Sequence, residues 1–284
     1  MHRFRLRDRV YDVTSRTLVM GILNRTPDSF FDQGATFDLD TLLTRAEQLV
    51  AEGADVLDVG GVKAGPGPEV SEAEELDRVV PTLDALRTRV DVPLSVDTWR
   101  ATVLRAACEA GAVLGNDISG FADPEYLPTA AEYGASVVAT HIRLAPRVSD
   151  PEPRYDDLVG DVSAFLVERA RAAEAAGLTP ERIALDAGLD LGKTPAQSAV
   201  LLRESDALAS LGYTLLLSAS NKRFLGELLG LPVDERRAAS LAAAAYGVMH
   251  GCRIVRVHEV GGSVRVCRMI EAIAAHARDG ARVS

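Results

Sequence analysis

One repeated alternation constrains this chain more than any other feature. From Thr17 onward, short apolar runs rich in Val, Leu and Ile give way eight times to segments with helical periodicity. The runs at 17–23, 55–59, 93–96, 112–118, 136–140, 182–186, 213–218 and 253–257 read as strands. Helices are expected near 39–53, 70–89, 100–110, 124–133, 156–176, 195–211, 222–249 (interrupted near Pro232) and 263–277. Gly53, Gly111, Gly134 and Gly177 directly follow four of these helices, where the left-handed turn that ends a helix costs glycine little. Uninterrupted apolar runs such as Leu18 to Leu23 suit strands buried on both faces, the condition of a parallel sheet.

Length alone allows two domains or one large one, since the chain has 284 residues. Eight strand–helix units with no Pro/Ser-rich linker between halves decide for an α/β fold, a single (β/α)8 TIM barrel over 17–284. A short N-terminal β-hairpin, 3–14 within a segment 1–16, precedes it. An open doubly wound sheet would place G-x-G-x-x-G after its first strand, and this sequence does not.

A formal net charge of −10 disfavours binding to a nucleic-acid backbone, yet leaves room for a local site for one small anion. The N-terminal segment has no apolar core of a secretory signal, and no run approaches a membrane span. Cys108, Cys252 and Cys267 are odd in number and lack C-x-x-C spacing, which suggests neither a disulfide framework nor zinc. The expectation is a cytoplasmic protein with a small-molecule partner, no nucleic acid and no membrane.

In such barrels reactive groups project from the carboxyl ends of the strands. Here those ends carry Asn24, Asp58, Asp97, Asn116 with Asp117, His141, Asp186, Ser218 through Ser220 to Lys222, and Arg256 with His258. A lone Asp or Asn there commonly caps the next helix or turn. Eight polar ends together suit a nitrogen-rich planar heterocycle flanked by an anion, because carboxylates accept ring N–H groups and cations meet oxygens or phosphate.

The segments MGILNRTPDSFFDQG, DVGG, SVDTWR, NDISG, LDAGLDLGKT, SASNKRFLG and RVHEV, in this order across almost the whole chain, resemble the dihydropteroate synthase family. That resemblance implies a (β/α)8 barrel that joins 6-hydroxymethyl-7,8-dihydropterin diphosphate to p-aminobenzoate with release of pyrophosphate in folate synthesis. It implies pterin binding by Asp97, Asn116, Asp186, Lys222 and Arg256. Asn24 would reach a Mg²⁺ carried by the diphosphate, and His258 would lie near the same anion. No side-chain nucleophile is required, and a homodimer through the outer helices is implied.

The chain departs from the family pattern in its loops. After DVGG the usual E-S-T-R-P-G is replaced by Val62 to Gly67, with Gly65 where the family carries arginine. Arg25 stands before Thr-Pro-Asp in place of an apolar residue, and Asn221 replaces the arginine of S-R-K. Asp190 and Leu191 stand where glycine and phenylalanine are usual. These changes suggest an anion site rebuilt around Arg25, Lys63 and Arg223. The acceptor site would draw on Phe30, Phe31, Pro66 and Ser220. Asp190 is expected to pair with Lys193 or Arg223, since an unpaired acid beside the pterin would cost affinity.

Three readings follow: a synthase-type enzyme with weak activity or another amine acceptor, a catalytically inactive pterin- or anion-binding paralogue, and a methyltetrahydrofolate-binding methyltransferase-type barrel. The third would need a corrinoid-bearing partner. Asn24 and His258 on the diphosphate side favour the first two.

Overall fold

The computed structural model describes residues 2–26 and 38–279. Chain order is a hairpin of β1 (Arg3–Leu6) and β2 (Arg9–Asp12), then β3 (Leu18–Asn24), α1 (Leu39–Ala51), β4 (Val56–Gly60), α2 (Glu72–Leu86), β5 (Leu94–Asp97), α3 (Ala101–Glu109) and β6 (Ala112–Asp117). It continues with α4 (Tyr126–Glu132), β7 (Ser136–Thr140), α5 (Leu158–Ala175), β8 (Ile183–Asp186), α6 (Pro195–Arg203), α7 (Ser205–Ala209), β9 (Thr214–Leu217), α8 (Arg223–Leu229), α9 (Arg237–Met249), β10 (Cys252–Val257) and α10 (Val260–Asp279). Strands β3 to β10 close into one barrel in sequence order, every pair parallel. The expected (β/α)8 architecture and hairpin are both present.

Two apolar layers hold it together. Outward-facing strand residues such as Val19, Leu57, Val96 and Val137 pack against the helices. Inward-facing Leu18, Met20, Val56, Leu114, Val138, Ala184, Leu216 and Ile254 fill the interior together with Phe4, Leu6 and Val13 of the hairpin segment. The hairpin thus plugs the barrel end where the strands begin, which leaves the carboxyl ends of the strands as the open mouth.

Helix ends follow local chemistry. Asp38, Ser71 and Asp157 cap α1, α2 and α5, and Thr194 with Gln197 forms a capping box on α6. Gly53, Gly111, Gly134 and Gly177 take φ of 102°, 112°, 60° and 100°, as their helix-ending role requires.

Two helix boundaries differ from expectation. The single helix expected over 195–211 is broken between α6 and α7, where the Ser205 hydroxyl turns back to the Leu202 carbonyl at 2.7 Å. The last helix begins at Val260 rather than 263, since Glu259 caps a start that Gly261 and Gly262 would not announce: its carboxylate accepts the Gly262 N–H at 3.0 Å.

Candidate functional site

Register brings the polar strand ends to one level. Asn24 pairs with Gly60, Gly60 with Asp97, and Asp97 with Asn116 across four adjacent strands. Gly60 is small for a reason: a Cβ there would come within 3.2 Å of Asn24 Oδ1 and 3.5 Å of Asp97 Cβ. Its missing side chain lets Asn24 and Asp97 approach over it.

One level deeper, Arg256 of β10 reaches across the mouth. Its Nε donates to Asp58 Oδ2 at 2.6 Å and its Nη2 to Asp97 Oδ2 at 2.6 Å. Asp58 is fully buried and further satisfied by the Ser95 hydroxyl and by Asn116 Nδ2 at 3.1 Å. Burial pushes the Asp97 carboxyl up to about 7, with Arg256 pulling it down and Asp58 adding to the rise.

On the other side of the barrel, Asp186 ends β8 with its Oδ1 accepting the Gly188 N–H at 2.8 Å. Burial raises its carboxyl, opposed chiefly by the Lys222 ammonium. Lys222 in turn donates to the Leu189 carbonyl at 2.5 Å, and burial lowers its ammonium against the attraction of Asp186. Of the five expected pterin ligands, Asp97 and Asp186 end their strands, Asn116 and Arg256 stand one residue before the end of theirs, and Lys222 lies in the loop after β9, directly before α8. Asp58, which joins two of them, Asn116 and Arg256, was visible as a strand end but carried no expected role.

Ser220 and His258 are linked: the His258 backbone N–H lies 3.2 Å from Ser220 Oγ, and its Nδ1 3.1 Å from the same oxygen. The two expected subsites thus share a hydrogen bond. Pro66 stands apart from Ser220, lining a cavity with Leu191. Phe30 and Phe31 lie outside the described residues.

The rebuilt anion site is not assembled as expected. Arg25 follows β3 with its side chain toward the helix layer, Nη1 lying 3.0 Å from the Arg78 carbonyl and 3.4 Å from Thr82 Oγ1 on α2. Arg223 pairs with Glu227 one helical turn on, at 3.0 Å. Lys63 sits half-buried in the β4–α2 loop, its carbonyl accepting from Arg147 Nη1 at 3.0 Å. One alternation past a strand end suffices to turn a side chain from the mouth to the outside.

Asp190 also corrects an expectation. Its carboxylate pairs with neither Lys193 nor Arg223 but accepts the Phe224 N–H at 3.2 Å on both oxygens, where α8 starts, and the Ser198 hydroxyl at 3.4 Å. It holds φ 67°, which aspartate tolerates where glycine is usual. Lys193 instead places Nζ 2.8 Å from His141 Nδ1 and 3.0 Å from the Leu191 carbonyl. Burial brings the Lys193 ammonium down to about 7 and His141 down to about 3. Asn221, with φ 56°, packs its side chain on Ser240 of α9. Asp117 keeps the structural role of a turn acceptor, taking the N–H groups of Ser119 and Phe121, with burial raising its carboxyl to about 6.

A closed (β/α)8 barrel with acids, amides and two cations gathered at one mouth is the class of protein this geometry defines. Within that class, the family model described as pterin binding enzyme matches residues 20–258. The inactive dihydropteroate synthase 2 of Mycobacterium leprae is 46% identical over 91% of this chain and 91% of its own length. The dihydropteroate synthase of Synechocystis is 40% identical over 93% of this chain and 92% of its own. The crystal structure of Yersinia pestis dihydropteroate synthase with a sulfonamide drug superposes with a TM-score of 0.92 at 39% identity, covering 96% of this chain and 99% of that one. The chain belongs to the dihydropteroate synthase family, as a divergent member with an altered second-substrate loop.

Proposed function

We propose that this protein binds 6-hydroxymethyl-7,8-dihydropterin diphosphate at the barrel mouth and joins it, weakly, to p-aminobenzoate or another amine with release of pyrophosphate. The observation that carries this reading is the Arg256 guanidinium tied by two edges to Asp58 and Asp97. Tied in this way, the guanidinium keeps a planar face for stacking on a heterocycle.

The remaining roles follow from donor and acceptor chemistry. Asp186 accepts from the amino-pyrimidine edge, because one oxygen is held by Gly188 while its environment keeps a second acceptor at the site. Asn116 presents its carbonyl oxygen, its amide nitrogen being held by Asp58. Lys222 meets the ring oxygen. His258, positioned by Ser220, takes the diphosphate side.

In the reaction the C–O bond of the pterin methylene breaks with its electron pair leaving on diphosphate, the amine forms the new C–N bond, and the nitrogen loses a proton. Buried carboxylates stabilise the positive charge that spreads into the ring. Cys108, Cys252 and Cys267 are buried away from such a role, and no side-chain nucleophile takes part.

Mg²⁺ fits as a passenger of the diphosphate. Among the described residues no group of three or more His, Cys, Asp or Glu is arranged as a cage, while Asn24 offers a single oxygen at the strand end. Bound there, the metal supplies charge neutralisation of the leaving group.

A catalytically inactive pterin-binding protein is the second reading. Gly65, Leu191 and Asn221 replace the family's loop residues, and the inactive relative from M. leprae is 46% identical. Pyrophosphate release from the pterin diphosphate with Mg²⁺, with and without p-aminobenzoate, separates the two. Release that depends on the amine supports the enzyme; none supports the binding protein.

The division into hairpin (1–16) and barrel (17–284), a cytoplasmic location and a homodimer complete the proposal. Among the described residues no helix is long and apolar enough to cross a membrane. Exposed Leu228 and Leu229 on α8, Met249 on α9 and Ile273 on α10 support a dimer face on the outer helices.

A further inference from the structure

At the end of the barrel where the strands begin, the turn of the β1–β2 hairpin, the α2–β5 loop and the start of β6 enclose a cavity of about 310 Å³, room for a small ligand. Leu6, Val90, Val92, Pro93, Leu94 and Val113 give it apolar walls. Among the described residues, none assigned to the pterin, the diphosphate or the acceptor lines it.

Arg7, Arg9 and Arg87 line this cavity with Asp8 and Asp91, one positive charge in excess in a chain whose net charge is −10. Arg9 and Asp91 answer each other: Arg9 Nη2 donates to Asp91 Oδ1 at 2.9 Å, and its Nη1 to the Asp91 carbonyl at 3.1 Å. Arg7 differs. Among the described residues its guanidinium makes no hydrogen bond or ion pair. Arg87 has only Asp84, 3.8 Å away, with both side chains more than half exposed, a pair of little strength. Two guanidinium groups thus stand at apolar walls without a strong acceptor, and Asp8 is the one carboxylate of the lining left to face them.

Their positions are built. Arg7 and Asp8 form the two-residue loop between the paired Leu6 and Arg9, and Arg7 takes φ 53° at the first loop position, where glycine is the unstrained choice. Its carbonyl accepts from Arg182 Nη2 at 3.4 Å, which anchors the turn. The stem of Arg87 lies across Gly111, where a Cβ would come within 2.9 Å of Arg87 Cδ. A strained residue whose side chain has no partner in its own chain is the kind of strain that persists at ligand clamps.

We propose that this cavity binds a phosphate group, free or carried by a small molecule, between Arg7 and Arg87. The two guanidinium groups come from different elements, the hairpin turn and the end of α2, so one acceptor must serve both. A carboxylate has two coplanar oxygens, which a single guanidinium fork fills; the tetrahedral oxygens of phosphate meet two forks at once. Asp8 and the single excess charge disfavour a polyphosphate. The site lies at the plugged end of the barrel and does not rest on the pterin reading.

Calorimetric titration with glycerol 3-phosphate, inorganic phosphate and acetate tests this. Native protein should bind at least one of the two phosphates about tenfold tighter than acetate. Tighter binding of glycerol 3-phosphate identifies an ester as the occupant; equal affinities or the reverse identify the free ion. Arg7→Gly suits the φ of the turn and so keeps the hairpin, and it and Arg87→Met should each weaken phosphate binding at least about tenfold. His258→Ala should leave the Arg7-dependent binding in place, which separates this site from the diphosphate side of the mouth. Affinity for a simple pterin, measured on the two arginine variants, should stay unchanged. No phosphate binding at millimolar concentration, equal binding of acetate, or binding that survives both arginine substitutions would overturn the assignment.

Discussion

Arg256 and Asp58 lie 198 residues apart in sequence and meet at 2.6 Å in the barrel mouth. Only closure of the sheet between β10 and β3 makes that contact, so the ion pair reports on the whole barrel as well as on the site. Asp58 is fully buried, and truncating it would leave a guanidinium with one of its two carboxylates gone. Asp58→Ala should destabilise the protein by about 3–5 kcal/mol, the cost of stranding a buried charge. Urea unfolding measures this; a loss under about 1 kcal/mol would mean that water or Asp97 replaces the partner.

Asp186→Asn should weaken binding of a simple pterin by about 1–3 kcal/mol, because an amide N–H or a poorer acceptor then faces a ring N–H. Lys63→Ala should change it far less, since Lys63 belongs to the loop around Arg147. Equal affinities of the two variants in calorimetry would remove Asp186 from the pterin site.

How far the site could be read from sequence depended on what placed each residue. Strand ends were legible because an apolar run must stop where the chain leaves the core, and the residue at that stop faces the mouth. Asp97 and Asp186 were placed by that alone, whereas the choice of Asn116 over its neighbour Asp117, which turns to the Ser119 and Phe121 N–H groups, came from the family resemblance. Arg25 and Asp190 lie beyond the strands, where direction is set by loop geometry: the first turns to α2, and the second caps α8.

The pair of Lys193 and His141 predicts a pH dependence. The Lys193 ammonium titrates near 7 in the folded protein against 10.5 for an ordinary lysine, so between these values the unfolded chain binds more protons. Stability from this group therefore rises with pH across that window, by at most about 1.4 kcal/mol per unit. Native protein should gain stability relative to Lys193→Met between pH 7.5 and about 9.5 in urea unfolding. A difference that is flat or falls with pH would show that Lys193 stays charged beside His141.

Mg²⁺ should tighten binding of the pterin diphosphate and leave the pterin alcohol unaffected, because Asn24 alone offers too few ligands for the metal without the diphosphate oxygens. Titration of both ligands with and without the metal checks this. A similar effect on the two would contradict a role for Asn24 at the leaving group.

The last prediction concerns which change in the loops limits turnover. Val62 is 6% exposed, so restoring the family glutamate there buries a charge, and Asn221 holds φ 56° against Ser240, where arginine would be strained and would lose that contact. Gly65 has neither obstacle: a Cβ there meets only Lys63 Cε, at 4.0 Å, and its φ lies outside the left-handed range. Gly65→Arg, with Ala64→Thr, should therefore fold normally and raise amine-dependent pyrophosphate release, since a guanidinium aimed at departing diphosphate acts where charge develops. Asn221→Arg should cost stability by comparison. A Gly65→Arg protein that folds and binds the pterin diphosphate, yet releases no more pyrophosphate than the native chain, would move the defect to Leu191 and Asn221.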